Sequence, residues 1–203
     1  MDNPTRSADY IARCNARRLG LQQTLVELLA SHSRITLEIG AGHGHFLTDY
    51  ATAHPTEFCV GIDLLHERVE RALRKRNRAK LANLAFLQAA ADEFISVLPA
   101  PTTIQRIFVL FPDPWPKRRH HKNRIMQPDF LHSLATRSEV GADLCFRTDD
   151  TSYFSTAKAV VQVHPDWQVS PAPWPFERET VFQSRASVYQ SLVATRQAIT
   201  SKL

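Results

Sequence analysis

LEIGAGHGHF, residues 37–46, is the stretch on which the fold of this 203-residue chain turns. ITLEIG (35–40) is apolar enough for a buried strand and stops at a glycine, and helical spacing resumes at 45. Gly40, Gly42 and Gly44 therefore stand at alternate positions in a strand-to-helix turn. Glycine there permits positive φ and leaves no Cβ in the way of a ligand approaching the backbone. A dinucleotide fingerprint, GxGxxG, would place its last glycine one residue later. Glu38 lies two residues ahead of the turn. Asp63 closes the next strand, EFCVGID (57–63), where a carboxylate can accept both hydroxyls of a ribose. Glu38, the glycines and Asp63 together point to an adenosine-type cofactor.

Strands and helices alternate on either side of that turn. A helical pattern over 10–31 precedes it. After EFCVGID come a basic helix, the strand LAFLQ, a helix near 91–98 and TIQRIFVLF (103–111), the strongest strand signal in the chain. A helix at 128–138, the strand DLCFRT (143–148) and a helix at 151–163 follow; APWPFE reads as a loop and SVYQSLV as a last strand. Such alternation implies βαβ units and a parallel sheet with right-handed crossovers. Ligands bind such sheets at the carboxyl ends of the strands, where strand order reverses. Gly40, Asp63, Asp113 and Asp149 all sit at those ends.

The length suits one domain with a sizeable core, 1–32 forming an N-terminal helical arm and 33–203 the core. A composition of 43% hydrophobic and 22% charged residues is that of an ordinary globular protein. No apolar run is long enough to span a membrane, and the N-terminus lacks a secretory apolar stretch. Cys14, Cys59 and Cys145 lie far apart and are read as reduced thiols of a cytoplasmic protein. His43 with His45, and His120 with His121, lack zinc-site spacing, so no metal is expected. The net charge of +5 is unevenly spread: residues 67–80 and 117–124 hold 12 of 25 basic side chains and two of 20 acidic ones. A local excess of that kind is the footprint of a polyphosphate partner. For 67–80 a merely solvated helix face is the equal alternative.

FPDPWPKRRHHKNR (111–124) runs out of the strongest strand. Pro112, Pro114 and Pro116 each fix φ and remove a backbone donor, leaving the loop few conformations to lose on binding. A carboxylate, Asp113, stands before Trp115, and the cations Lys117, Arg118, Arg119, Lys122 and Arg124 stand behind it. Trp115 offers a stacking face worth roughly 1–3 kcal/mol per base; a core tryptophan capping the fourth strand is its other reading. In RTDD, at least one of Asp149 and Asp150 is expected to cap the helix at 151.

The Glu38-x-Gly-x-Gly-x-Gly loop resembles that of class I S-adenosylmethionine-dependent methyltransferases. FPDPWPKRRHHKNR, with QPDFL and RTDD downstream, is similar to the signature of the tRNA (guanine-N7)-methyltransferases of the bacterial single-chain type. The resemblance runs from about residue 37 to 150. It implies an α/β, Rossmann-like fold whose mostly parallel seven-stranded sheet is flanked by helices. It also implies S-adenosylmethionine as cofactor, tRNA as partner, and methylation of a guanine N7 in the tRNA variable loop; the sequence leaves monomer and homodimer both open. By that resemblance Glu38, Gly40, Gly42, Gly44 and Asp63 hold the cofactor, and Asp113 stands between cofactor and guanine as the catalytic residue. Lys117, Asp149 and Glu177 contact substrate, and Arg119, His120, Lys122 and Arg124 touch RNA, while Trp115 is the base-stacking candidate by its own chemistry. The chain departs from the pattern in three places. Ala90 stands where the family carries an acid near the adenine, with Asp92 as the nearby substitute. Trp174 of WPFE replaces the threonine of Thr-x-Phe-Glu, and the usual glycine shortly after is absent.

Guanine N7 carries an unprotonated lone pair, so its methylation requires positioning rather than a general base; positioning can contribute on the order of 7–11 kcal/mol. Two other readings stand beside this one. DPW distantly resembles the D/N-P-P-aromatic loop of amino-methylating enzymes, which would make another base or RNA the substrate. The altered Ala90 and Trp174 positions also fit a noncatalytic tRNA-binding protein of the same fold.

Overall fold

The computed structural model describes residues 4–178 and 188–198. The first three residues of the expected arm, and Ser187 at the head of the expected last strand, lie outside the described residues. Along the chain run α1 (Pro4–Leu28), β1 (Arg34–Ile39), α2 (His45–Ala53), β2 (Cys59–Asp63), α3 (His66–Ala79), β3 (Leu84–Gln88) and α4 (Ala91–Val97). They are followed by β4 (Thr103–Leu110), a 3-10 helix (Arg118–Asn123), α5 (Pro128–Arg137), β5 (Ser138–Thr148), α6 (Thr151–Val163), β6 (Trp167–Val169) and β7 (Gln190–Arg196).

The strands form one seven-stranded sheet in the order β3-β2-β1-β4-β5-β7-β6. β1 to β5 are mutually parallel, and β7 runs against both its neighbours, β5 and β6. The parallel β1 to β5 are what the alternation implied, and the mostly parallel seven-stranded sheet is what the family resemblance implied. Strands buried on both faces read as continuous apolar runs. β2 is buried throughout and β1 from its second residue, which is why ITLEI and CVGID were legible.

One face of the sheet packs Leu25 of α1, Phe94 of α4, Leu131 and Leu134 of α5, and Tyr153 and Ala157 of α6 against Ile35, Leu37, Ile107 and Phe146. The other face packs Phe46 and Tyr50 of α2 and Val69 and Ala72 of α3 against Phe86 and Phe108. Trp174 and Phe176, from the extended segment after β6, continue this second layer. Their rings lie 6.3 Å from Phe108 and 5.7 Å from Phe46, respectively. The C-terminal part of α1 is thus built into the core, and Arg17 also pairs with Glu93 of α4.

Strand order reverses between β1 and β4, whose ends are in register at Ile39 and Val109. The glycine turn and the proline-rich loop therefore leave the sheet side by side. Among the described residues no helix is long and apolar enough to cross a membrane, and the three cysteines are free.

Candidate active site

The glycine turn is held from the neighbouring strand. Gly40 and Ala41 both donate their N–H groups to the Ile62 carbonyl, at 2.8 and 2.9 Å. Asp63 ties two loops together: its Oδ2 accepts from the Gly42 N–H and its Oδ1 from the Leu65 N–H, each at 2.9 Å. A carboxylate has about four lone-pair sites, so each oxygen can accept again. All three glycines have positive φ, yet they serve different ends. A Cβ on Gly40 would meet nothing within 4 Å, whereas one on Gly44 would fall 2.6 Å from Phe86 Cζ and 2.7 Å from Ala72 Cβ. Gly40 borders open space; Gly44 lets the helix layer close on β3.

Glu38 points into the layer beneath the turn and is 3% exposed. Burial pushes its carboxyl well above the usual carboxylate range; the Leu47 N–H pulls it back and the charge of Asp63 pushes it further up. Its Oε2 has no hydrogen-bond partner. A buried acceptor left unsatisfied is costly. Beside a glycine open to solvent, it suits a ligand carrying N–H or O–H donors, and an adenosine-bearing amino acid carries both. Ala90 precedes α4, and Asp92, the expected substitute, is exposed and lines the groove between α4 and α5 with Asp129 and Phe130.

At the tip of β4 the backbone is strained on both sides of one tripeptide. Phe111 (φ 49°) and Trp115 (φ 44°) occupy the left-handed region and bracket Pro112, Asp113 and Pro114. Each such residue costs on the order of 1–3 kcal/mol and persists only where its surroundings over-determine it. Here the Phe111 N–H donates to the Arg147 carbonyl at 2.8 Å, and Arg124 Nε donates to the Pro114 carbonyl at 2.8 Å. Arg124 also reaches Thr156 Oγ1 at 3.4 Å and lies 4.7 Å above the Tyr153 ring. It is 2% exposed. The sequence pattern groups Arg124 with the RNA-facing cations, but the structure buries it against α6, because a loop of three prolines has few donors of its own to anchor it.

Asp113 itself is exposed. It lies close enough to Tyr153 that its charge adds to the rise that burial produces in the tyrosine hydroxyl. Trp115 is 36% exposed, with His120 edge-on to it at 5.9 Å. Lys117, Arg118, Arg119 and Lys122 are exposed on and beside the 3-10 helix, whose His121 carbonyl accepts from Gln127 Nε2 at 3.0 Å. Asp150 caps α6, accepting from the Tyr153 N–H at 2.6 Å, which leaves Asp149 exposed beside it.

Glu177 is engaged by Arg147, a residue that the sequence reading did not single out. The pair is bidentate, with Nη2 2.9 Å from Oε1 and Nη1 3.2 Å from Oε2. The Arg147 guanidinium lies 4.0 Å from the Trp174 ring and 4.7 Å from the Tyr189 ring. Arg178 adds a pair with Asp49 at 2.7 Å, so WPFE is fastened at both ends. The signal for Arg147 was a lone cation inside the apolar strand DLCFRT. Residues 179–187, where the family glycine is missing, lie outside the described residues. Among the described residues no group of three or more His, Cys, Asp or Glu side chains could hold a metal ion.

A family model described as "Putative methyltransferase" matches residues 32–195. The chain is 34% identical over 183 residues to a tRNA (guanine-N(7)-)-methyltransferase of Prochlorococcus marinus (strain MIT 9303), covering 82% of this chain and 77% of that protein. It is 34% identical over 131 residues to a protein of the same name from Thermus thermophilus, covering 64% of this chain and 42% of that one. Two solved structures share the fold. An aminoglycoside resistance methyltransferase, NpmB1, superposes with a TM-score of 0.60 at 18% identity, over 86% of this chain and 93% of that one. A 16S rRNA (adenine(1408)-N(1))-methyltransferase from Catenulisporales acidiphilia, solved with its cosubstrate SAM, gives a TM-score of 0.60 at 19% identity, over 90% and 94%.

Proposed function

The chain belongs to the tRNA (guanine-N7)-methyltransferase family, and from that membership we propose that it transfers a methyl group from S-adenosylmethionine to N7 of a guanine in the tRNA variable loop. The observation that carries the reading is the reversal of strand order between β1 and β4, which brings the open glycine turn and the strained Asp113 loop out of the sheet together.

Bound there, S-adenosylmethionine supplies a methyl group activated by a sulfonium. Glu38, with its unpartnered oxygen, and Asp63, with lone pairs to spare, accept hydrogen bonds from the cofactor's polar ends, while Gly40 lets it lie against the backbone. Guanine N7 has no proton to lose, so Asp113 is an acceptor rather than a base. Its carboxylate takes the N–H edge of the guanine, and its charge favours the cationic ring that forms. Trp115 stacks on the base, and Lys117, Arg119, His120 and Lys122 meet the surrounding phosphates. Asp149, exposed at the end of β5, completes the substrate contacts. Glu177 acts through the Arg147 pair, which holds the C-terminal segment over the sheet. A tRNA substrate and three free cysteines support a cytoplasmic location.

The test is incubation of the purified protein with methyl-labelled cofactor and unmodified tRNA, followed by mapping of the product. Label at guanine N7 is the expected result. Label on an exocyclic amine, or none with any RNA, overturns the proposal.

A further inference from the structure

Beyond Arg68, whose Nη1 lies 3.7 Å from Asp63 Oδ2, the basic face of α3 plays no part in the site described above. Residues 67–80 carry seven basic side chains against Glu67 and Glu70, and within α3 only Val69 and Ala72 are buried. The fold does little to neutralise this charge. Arg74 meets Glu70 only at 4.0 Å, with both side chains well exposed, and Lys75 bonds a ring nitrogen of His45 at 2.8 Å. Arg71 and Arg78 have no acidic partner among the described residues. Arg71, Lys75 and Arg78, like Arg74 and Arg78, stand three or four positions apart, where like charges oppose helix formation by a few tenths of a kcal/mol per pair. The sequence thus maintains a self-repelling ridge that folding alone does not require.

The ridge borders the cofactor turn. Arg68 lies 3.7 Å from the Asp63 oxygen that accepts from the Gly42 N–H, and Lys75 bonds His45, one residue past Gly44; after burial, the charges of Arg71, Arg68 and Lys75 also hold the His43 imidazole below its ordinary pKa. β2, which feeds α3, is two strands from β4, about 10 Å across the sheet at the usual strand spacing. From Arg68 to Arg78 the helix rises on the order of 15 Å. A large anion whose base reaches Asp113 can therefore lie along α3 at the same time. Most of the cations are arginines, whose planar guanidinium matches phosphate oxygens in pairs.

We propose that the α3 ridge centred on Arg71, Arg74 and Arg78 is a second docking surface for the sugar-phosphate backbone of the tRNA whose guanine enters at Asp113. The proposal rests on the function proposed above and adds to it a surface on the far side of the glycine turn from the 3-10 helix. The contact is to phosphate, so it carries affinity rather than sequence preference.

The experiment is a salt titration of binding to an unmodified tRNA transcript, using the full-length protein and a variant with Arg71→Gln, Arg74→Gln and Arg78→Gln. All three positions are exposed, and a thermal melt checks that the variant folds. The plot of log affinity against log salt should flatten by roughly two units, at about 0.7–0.9 per phosphate contact. The corresponding Arg→Lys triple variant should keep most of the slope. If the triple Gln variant is unstable, Arg78→Gln alone should flatten it by about one unit. A slope unchanged in the Gln variants but lowered by Lys122→Gln overturns the ridge alone. A slope unchanged in the Gln variants overturns the ridge in every case, and wild-type protein whose binding to the transcript shows no salt dependence overturns the tRNA reading with it.

Discussion

Arg124 Nε donates to the Pro114 carbonyl at 2.8 Å, and this bond fastens the turn between Asp113 and Trp115 to the body of the protein. The same guanidinium spans Thr156 and the face of Tyr153, so a single planar group braces the strained loop from below. Arg124→Lys keeps the charge but cannot make that set of contacts. Both Arg124→Lys and Arg124→Gln are expected to lower kcat on the order of 10²-fold by letting Asp113 drift. They should also cost about 1.5–3 kcal/mol in a urea melt, as for a hydrogen bond to a charged group. The salt slope of tRNA binding should not change. A flattened slope with intact kcat would return Arg124 to the RNA-facing cations.

Arg124 also marks where reading the sequence stopped. The parallel strands were legible because burial on both faces gives each a continuous apolar run, and glycine and proline punctuate their ends. The role of Arg124 depends on a carbonyl ten residues away and an aromatic ring on α6, and neither leaves a local trace. β6 has three residues, too few for a period. β5 begins at Ser138, directly after α5, although its first residues are polar or half-exposed; they pair with β4 only across a register shift. Trp174 and Phe176 read as loop because they cover the sheet from an irregular segment. Asp63 could be placed at a strand end because it closes the apolar run CVGID, and Asp113 in a loop because prolines flank it just past β4, whereas Glu38, inside β1, stood out only by its distance from the glycines.

Asp113 is exposed and contributes little to packing, so its removal should separate chemistry from folding. Asp113→Ala is expected to reduce kcat by about 10²–10³, the usual cost of losing one preorganised electrostatic contact. Affinity for tRNA and the melting temperature should stay near the wild-type values, because the phosphate contacts and the core are untouched. Binding isotherms and single-turnover rates on the same preparation make the check. Equal losses in affinity and rate would make Asp113 a binding residue only.

Gly40 and Gly44 should respond differently to the same substitution. Both have positive φ, so alanine strains each by roughly 1–2 kcal/mol. At Gly40 the new methyl group meets nothing within 4 Å, and it projects into the space assigned to the cofactor. Gly40→Ala should therefore fold with a small loss of stability and bind S-adenosylmethionine poorly in a calorimetric titration. At Gly44 the methyl group would collide with Phe86 and Ala72, adding an overpacking cost of typically 1–3 kcal/mol. Gly44→Ala should be the less stable protein of the two. The reverse order of melting temperatures would contradict the assignment of open space to Gly40.

Glu38 links the proposed cofactor site to stability through its proton. Burial raises its folded-state pKa well above the ordinary value of 4.5, with the Leu47 N–H opposing and Asp63 adding to the rise. A carboxyl raised in this way stabilises the fold fully below its unfolded pKa, and that contribution is lost as pH climbs through the folded value. Glutamine does not titrate, and its carbonyl can still accept from Leu47. The melting temperature of Glu38→Gln relative to wild type should therefore rise from pH 4.5 upward and level off above the folded pKa of Glu38. Each kcal/mol should appear as about 2–4 °C in a chain of this length. Relative to wild type, the variant should therefore melt higher at neutral pH than at pH 4.5 while binding S-adenosylmethionine more weakly, because the oxygen left without a partner is the one proposed to meet the ligand. Thermal melts across pH, with and without S-adenosylmethionine, measure both effects; a difference that stays flat with pH would mean that Glu38 is ionised in the folded protein without penalty.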